Sequence, residues 1–203
     1  IRLLAQNGQI LGAGDLNQMI SPSGFRWEDL TTRLYQQNRQ WTEKRLDFNF
    51  RSTGKLGALA VELLNLKFKL LSESQFQSEA PISTSGELAR LVAASRNDLK
   101  QIELGSGDAI LVRTEEQKAE LLTDLTTKLI FTIEESKGLE FDTVYLVNFF
   151  EYTNSLESTI ASSTKHLIDR QKPQLRLEFN LLYVAITRAR HILNICEPKI
   201  SDL

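Results

Sequence analysis

The chain has 203 residues, of which 41% are hydrophobic and 25% charged, with a formal charge of −2 at neutral pH. That balance excludes a disordered tail, and the near-zero charge excludes a globally basic nucleic-acid binder, leaving any such binding to a local stripe. The single cysteine, Cys196, excludes an internal disulfide and a cysteine metal cluster, and no apolar run reaches the roughly 18 residues a membrane span requires.

In chain order, Gln9 to Ala13 reads as a short buried strand that enters a loop at Gly14 and Asp15. SPSG (Ser21 to Gly24) is turn chemistry, and Trp27 to Gln37 carries a helical pattern. Arg45 to Phe50 reads as a strand, after which Ser52 or Thr53 caps a long helix over Leu56 to Leu71. The Ser/Gln/Glu-rich stretch Ser72 to Gly86 reads as a flexible connection. Leu88 to Ala94 is a strand and Asp98 to Leu104 a helix. Gly105 to Asp108 is a turn, and Ala109 to Arg113 a strand. Thr114 caps a helix whose first turn holds Glu115 and Glu116, where the helix dipole favours acids. Lys128 to Ile133 and Thr143 to Val147 are strands, Asn154 to Thr164 a polar loop, Leu175 to Thr187 a helix and Ile192 to Cys196 a last strand. Strands alternating with helices predict an α/β layered fold with a mainly parallel sheet. His166 and His191 have no metal-ligand spacing and read as surface or capping residues.

Four segments place a polar group at the end of an apolar run: GDLNQ (Gly14 to Gln18), NFRST (Asn49 to Thr53), SKGLEF (Ser136 to Phe141) and YVAITRAR (Tyr183 to Arg190). Gly14-Asp15 alone is an ordinary turn, yet the Gln18 amide both donates and accepts, which suits orienting a water or sensing a terminal phosphate. Arg51 suits a surface ion pair or a bidentate grip on phosphate. Lys137 sits beside Gly138, which permits close backbone approach. Glu140 suits a ribose hydroxyl or a solvated helix end. Arg188 and Arg190 leave opposite sides of a helical turn, one toward a cleft and the other toward solvent. Arginines at a helix end also serve structurally, through the dipole. A phosphate loop is missing: Gly54-Lys55 has Asn49 in place of the first Gly and Leu56 after the Lys.

In this order the four segments resemble motifs III, IV, V and VI of a UvrD-like superfamily 1 DNA helicase, over Gly14 to about Ile195. The resemblance implies a RecA-like three-layer sandwich lacking its own P-loop. Residues 1–44 would be the remnant of a first RecA-like domain, and residues 45–203 the second. The single cysteine and the lack of a charged-then-apolar opening suggest a reducing, intracellular setting, cytoplasmic or in the nucleoid or nucleus, and Ile1 suggests a trimmed fragment.

The resemblance further implies that Arg51 and Arg188 act as arginine fingers, each worth roughly 10³–10⁵ in rate. Gln18 couples the γ-phosphate to the nucleic-acid site, and Glu140 and Gly138 meet the nucleotide. Thr132 and Lys137 touch the nucleic-acid backbone, and Trp27 stacks on a base. ATP and Mg would be bound mainly by the first RecA-like domain, which is also the implied partner. The other partner is single-stranded DNA, with RNA not excluded, and no membrane is implied. Hydrolysis by the 203 residues alone is not expected, because the Walker A and B motifs are absent.

Three departures stand out. Glu134 occupies the place where relatives carry His, and would repel phosphate. SPSG displaces the aromatic that usually follows the Gln of motif III. Arg51 and Lys137 are too close in sequence for the accessory domain that full-size relatives insert there. The alternative reading is a catalytically inactive helicase-like module that binds nucleic acid or protein.

Overall fold

Runs such as Ala109-Ile110-Leu111-Val112 are apolar without alternation and rich in β-branched residues, the pattern of a strand covered on both faces. The computed structural model describes residues 13–20, 27–36, 42, 44, 48–49, 54–72, 80–81, 89–93, 96–152 and 172–198. Its elements are α1 (Trp27–Gln36), β1 (Phe48–Asn49), α2 (Gly54–Leu71), β2 (Ala80–Pro81), β3 (Arg90–Ala93), α3 (Arg96–Leu99), β4 (Asp108–Val112), α4 (Glu115–Asp124), β5 (Ile130–Thr132), β6 (Phe141–Val147), α5 (Lys172–Ile186) and β7 (Ala189–Glu197). Short 3-10 turns lie at Leu16–Gln18 and Phe150–Tyr152.

The main sheet runs β3-β7-β6-β4-β5, with every neighbouring pair parallel. Ile110 sits opposite Tyr145, and Val144 opposite Leu193. On one face Leu111, Val144, Leu146 and Leu193 pack against α2 and α5. On the other, Ile110, Val112, Ile130 and Cys196 meet Leu99 of α3 and Leu121 of α4. The result is the expected α/β sandwich of three layers. Each of these buried aliphatic side chains contributes about 1.5–3 kcal/mol through removal from water. A separate two-stranded parallel ladder joins β1 and β2.

Helix α2 buries Leu56, Ala60, Leu64, Phe68 and Leu71, one stripe at helical spacing. It ends at Ser72, whose φ of 55° is the left-handed conformation that stops a helix. Thr114 caps α4 as the sequence predicts: its hydroxyl accepts from the Gln117 amide at 3.2 Å while the Gln117 side chain accepts from the Thr114 amide, a capping box. Pro173 sits in the first turn of α5, where its missing N–H costs nothing. From Glu178 to Ile186 nearly every residue of α5 is buried, because the sheet, α2 and the Leu16–Gln18 turn surround it.

Several boundaries differ from the sequence reading. The helix expected over Asp98 to Leu104 is one turn, Arg96–Leu99, continued by the turn bonds Gln101 N to Asp98 O and Ile102 N to Leu99 O. The last strand begins at Ala189 rather than Ile192, so YVAITRAR spans a helix end, a turn and a strand start. Arg190 therefore lies on β7, not on a helical turn. Ala80-Pro81, inside the stretch read as a connection, is strand. Gln9 to Gly12, Arg51 to Thr53 and Asn154 to Thr164 lie outside the described residues.

Candidate functional site

The eight residues 133–140 connect β5 to β6 and carry most of SKGLEF. They are wound tightly: Ser136 N donates to Thr132 O, Lys137 N to Glu134 O and Leu139 N to Ser136 O, at 2.9–3.1 Å. The Ser136 hydroxyl is buried and donates to Ile133 O at 2.8 Å. Gly138 has φ +90°, which a side chain adopts only under strain, and a Cβ there would meet nothing within 4 Å. Lys137, Gly138, Leu139 and Glu140 are all exposed.

Beneath this loop lies Arg188, in the turn between α5 and β7 and 2% exposed. Its Nε donates to Val184 O at 3.1 Å, the carbonyl one helical turn earlier. Nη1 donates to Leu139 O at 3.1 Å and Ser136 O at 3.5 Å, and Nη2 to the Thr187 hydroxyl at 3.3 Å. The guanidinium thus joins the last turn of α5 to the SKGL loop. The Arg188 carbonyl accepts from Phe141 N at 2.9 Å, closing the link from the other side. Arg190 is exposed and 3.9 Å from Asp142, with His191 3.8 Å from the same carboxylate. One arginine of the pair is therefore interior and the other solvated.

Thr132 is also interior. Its hydroxyl accepts from Glu135 N at 3.2 Å, and the Glu135 carboxylate accepts from Thr132 N at 2.9 Å, a capping box for the loop. Lys118 of α4 hydrogen-bonds the same carboxylate, and this bond first, then the Thr132 amide, holds Glu135 below the ordinary carboxylate value. Glu134 is exposed beside it.

GDLNQ forms a self-capped turn. Asp15 accepts from Asn17 N at 2.8 Å through one carboxylate oxygen and from the Gln18 amide at 2.8 Å through the other. The turn rests on the middle of α5, where Asn180 donates to Leu16 O at 3.2 Å and Met19 O at 2.7 Å. Asn180 lies about two helical turns before Arg188. Gln18 and Arg188 are thus attached to the same helix. Trp27 opens α1. Arg51 lies outside the described residues.

A buried ion pair also braces the middle of α5, two residues before Asn180. Arg113, just past β4, meets Glu178 bidentately at 2.6 and 2.9 Å, with its guanidinium 4.8 Å from the Phe149 ring centre. Sequence reading missed this pair, and missed Asn180 with its neighbour Lys67. A signal was available for Asn180, which interrupts the apolar run from Phe179 to Ile186; Lys67, with Asn65 and Lys69 two positions to either side, carried none.

The parallel sheet covered on both faces, with an arginine delivered from a helix end to the loop between two strands, defines a three-layer α/β domain. Residues 108–198 match the UvrD-like helicase C-terminal domain. Among curated proteins the chain is similar to TPR and ankyrin repeat-containing protein 1 of Homo sapiens, 31% identical over 162 residues. The match takes in 68% of this chain but spans only 6% of that protein's length. Among solved structures it is similar to an Arterivirus nonstructural protein 10 (helicase), with 17% identity, TM-score 0.43, and 93% of this chain against 33% of that one. Methylated PRRSV nsp10 (helicase) gives 16% identity, TM-score 0.39, and 76% against 24%.

Proposed function

We propose that this helicase C-terminal lobe completes an ATP-dependent motor on single-stranded DNA, with ATP and Mg held mainly by a first RecA-like domain. The observation that carries the reading is the position of Arg188 directly under the exposed Lys137–Glu140 loop. Its Nη bonds to neutral carbonyls are ones a phosphate oxygen would outcompete, since hydrogen bonds between charged partners are roughly twice as strong. The Nε bond to Val184 O would stay in place and aim the group.

In this reading Arg188 and Arg51 stabilise charge on the transferring phosphoryl group and Gln18 senses the γ-phosphate. Glu140 takes the ribose, and Gly138 lets the nucleotide approach the backbone. Lys137, Thr132 and Trp27 serve the nucleic acid, Thr132 by shaping the loop from inside.

The test is ATP hydrolysis by the full-length protein, with and without single-stranded DNA and RNA, beside its Arg188→Ala variant. The expected result is strong stimulation by DNA and a loss of roughly 10³-fold or more in the variant. Flat hydrolysis in both proteins would refute the motor and favour the inactive binding module. That second reading draws on Glu134, an exposed carboxylate where a phosphate contact is otherwise expected.

A further inference from the structure

Lys67 of α2 is 3% exposed, and Asn180 of α5 is 2% exposed. Burying an ammonium group is costly unless acceptors replace its water. Here Lys67 Nζ donates to Asn180 Oδ1 at 2.8 Å and to Asn17 Oδ1 at 2.9 Å. The Asn180 amide nitrogen faces the other way, donating to Leu16 O and Met19 O. Two side chains from two helices therefore hold the GDLNQ turn at three points: the Asn17 side chain and two backbone carbonyls. Each of these acceptors belongs to the turn except Asn180 Oδ1, which fixes the orientation of its own amide.

The residues are specific to this task in shape and in chemistry. An apolar residue at 180 would remove a donor from the Leu16 and Met19 carbonyls, and an apolar residue at 67 would remove one from the Asn17 and Asn180 amide oxygens. Gln18 and Asp15 are the polar side chains of the turn that this clamp leaves alone, and Asp15 orients the Gln18 amide within the turn itself. The clamp thus fixes the backbone that carries Gln18 while leaving the Gln18 side chain half-exposed.

We propose that Lys67 and Asn180 are positioning residues that lock the GDLNQ turn to α5, so that Gln18 and Arg188 answer a nucleotide as one unit. The proposal rests on the motor reading for its consequence and on the hydrogen-bond geometry for its existence, and the experiment separates the two. The full-length protein and its Asn180→Ala and Asn17→Ala variants would be compared by hydrogen–deuterium exchange and by DNA-stimulated ATP hydrolysis. Asn17→Ala, on the half-buried turn, cuts the Lys67 bond from the side that leaves the helices intact.

In both variants exchange over residues 13–20 should rise about tenfold or more, with residues 172–197 unchanged, and the ratio of stimulated to basal hydrolysis should fall about tenfold. Unchanged exchange over residues 13–20 would overturn the clamp. Equal loosening of residues 172–197 in both variants would reduce it to ordinary core packing and overturn the positioning role. Loosened exchange with an undiminished stimulation ratio would overturn the coupling. If the unaltered protein shows no stimulated hydrolysis, the motor reading fails and the coupling with it, while the exchange result still decides the clamp.

Discussion

Glu178→Ala is the substitution whose effect the structure fixes most tightly. Glu178 and Arg113 are nearly out of water, with side chains 8% and 12% exposed, and they share two parallel hydrogen bonds. Deleting one partner of a buried pair leaves the other charge desolvated, which costs about 3–5 kcal/mol. The Phe149 ring remains against the guanidinium and offsets part of this, so the expected loss is about 3 kcal/mol. For a domain of this size that corresponds to a fall in Tm of roughly 6–12 °C.

Replacing both members with apolar residues, Arg113→Met with Glu178→Leu, should instead leave stability within about 1 kcal/mol of the parent, since neither charge then remains buried. The assay is urea unfolding followed by circular dichroism for the parent, both single variants and the double, read as a double-mutant cycle. A loss under about 1 kcal/mol for Glu178→Ala, or a double variant as unstable as the sum of the singles, would refute the reasoning.

Other expectations follow from the same geometry. Gly138→Ala should cost about 1–2 kcal/mol from the backbone alone, because its φ is +90° and no atom crowds the new methyl; urea unfolding reads it, and a larger loss would mean an unseen contact. Glu197 is 3% exposed, and burial pushes its carboxyl above 4.5 despite the amide of Phe150. The folded state therefore holds that proton more tightly, so its stability falls as pH rises from about 4.5 through the raised value, and Glu197→Gln should remove that part of the slope. Identical slopes in variant and parent would contradict it. The Cys196 thiol, pushed up to about 11 by burial, should react with a disulfide reagent at neutral pH about 100-fold more slowly in the folded protein than in urea. Comparable rates would show that the last strand opens freely.

What the sequence made legible was whatever is encoded locally. Thr114 announced α4 because a capping hydroxyl acts over three residues, and Ala109 to Arg113 announced a strand because a clear turn, Gly105 to Asp108, leads into its apolar run. The helical pattern from Trp27 was likewise local, and α1 begins at that residue. The site was legible as four segments but not as an arrangement. Arg188 could be named, yet its partners Ser136 and Leu139 lie 52 and 49 residues away, and nothing near Arg188 in the chain indicates them. The Lys67–Asn180 bond spans 113 residues, and the Arg113–Glu178 pair 65. Such pairings depend on which helix the sheet topology sets beside which strand. The start of β7 was misjudged for the same reason: Ala189 to His191 are strand because Phe141 and its neighbours are there to pair with them.

The sheet also tapers toward its margins. Among the described residues its inner strands run nine, seven and five residues, whereas the outermost two, β3 and β5, run four and three. An outer strand is where unpaired backbone groups invite another chain to add on, and the invitation scales with length. Margins this short offer a second copy very little backbone to zip onto.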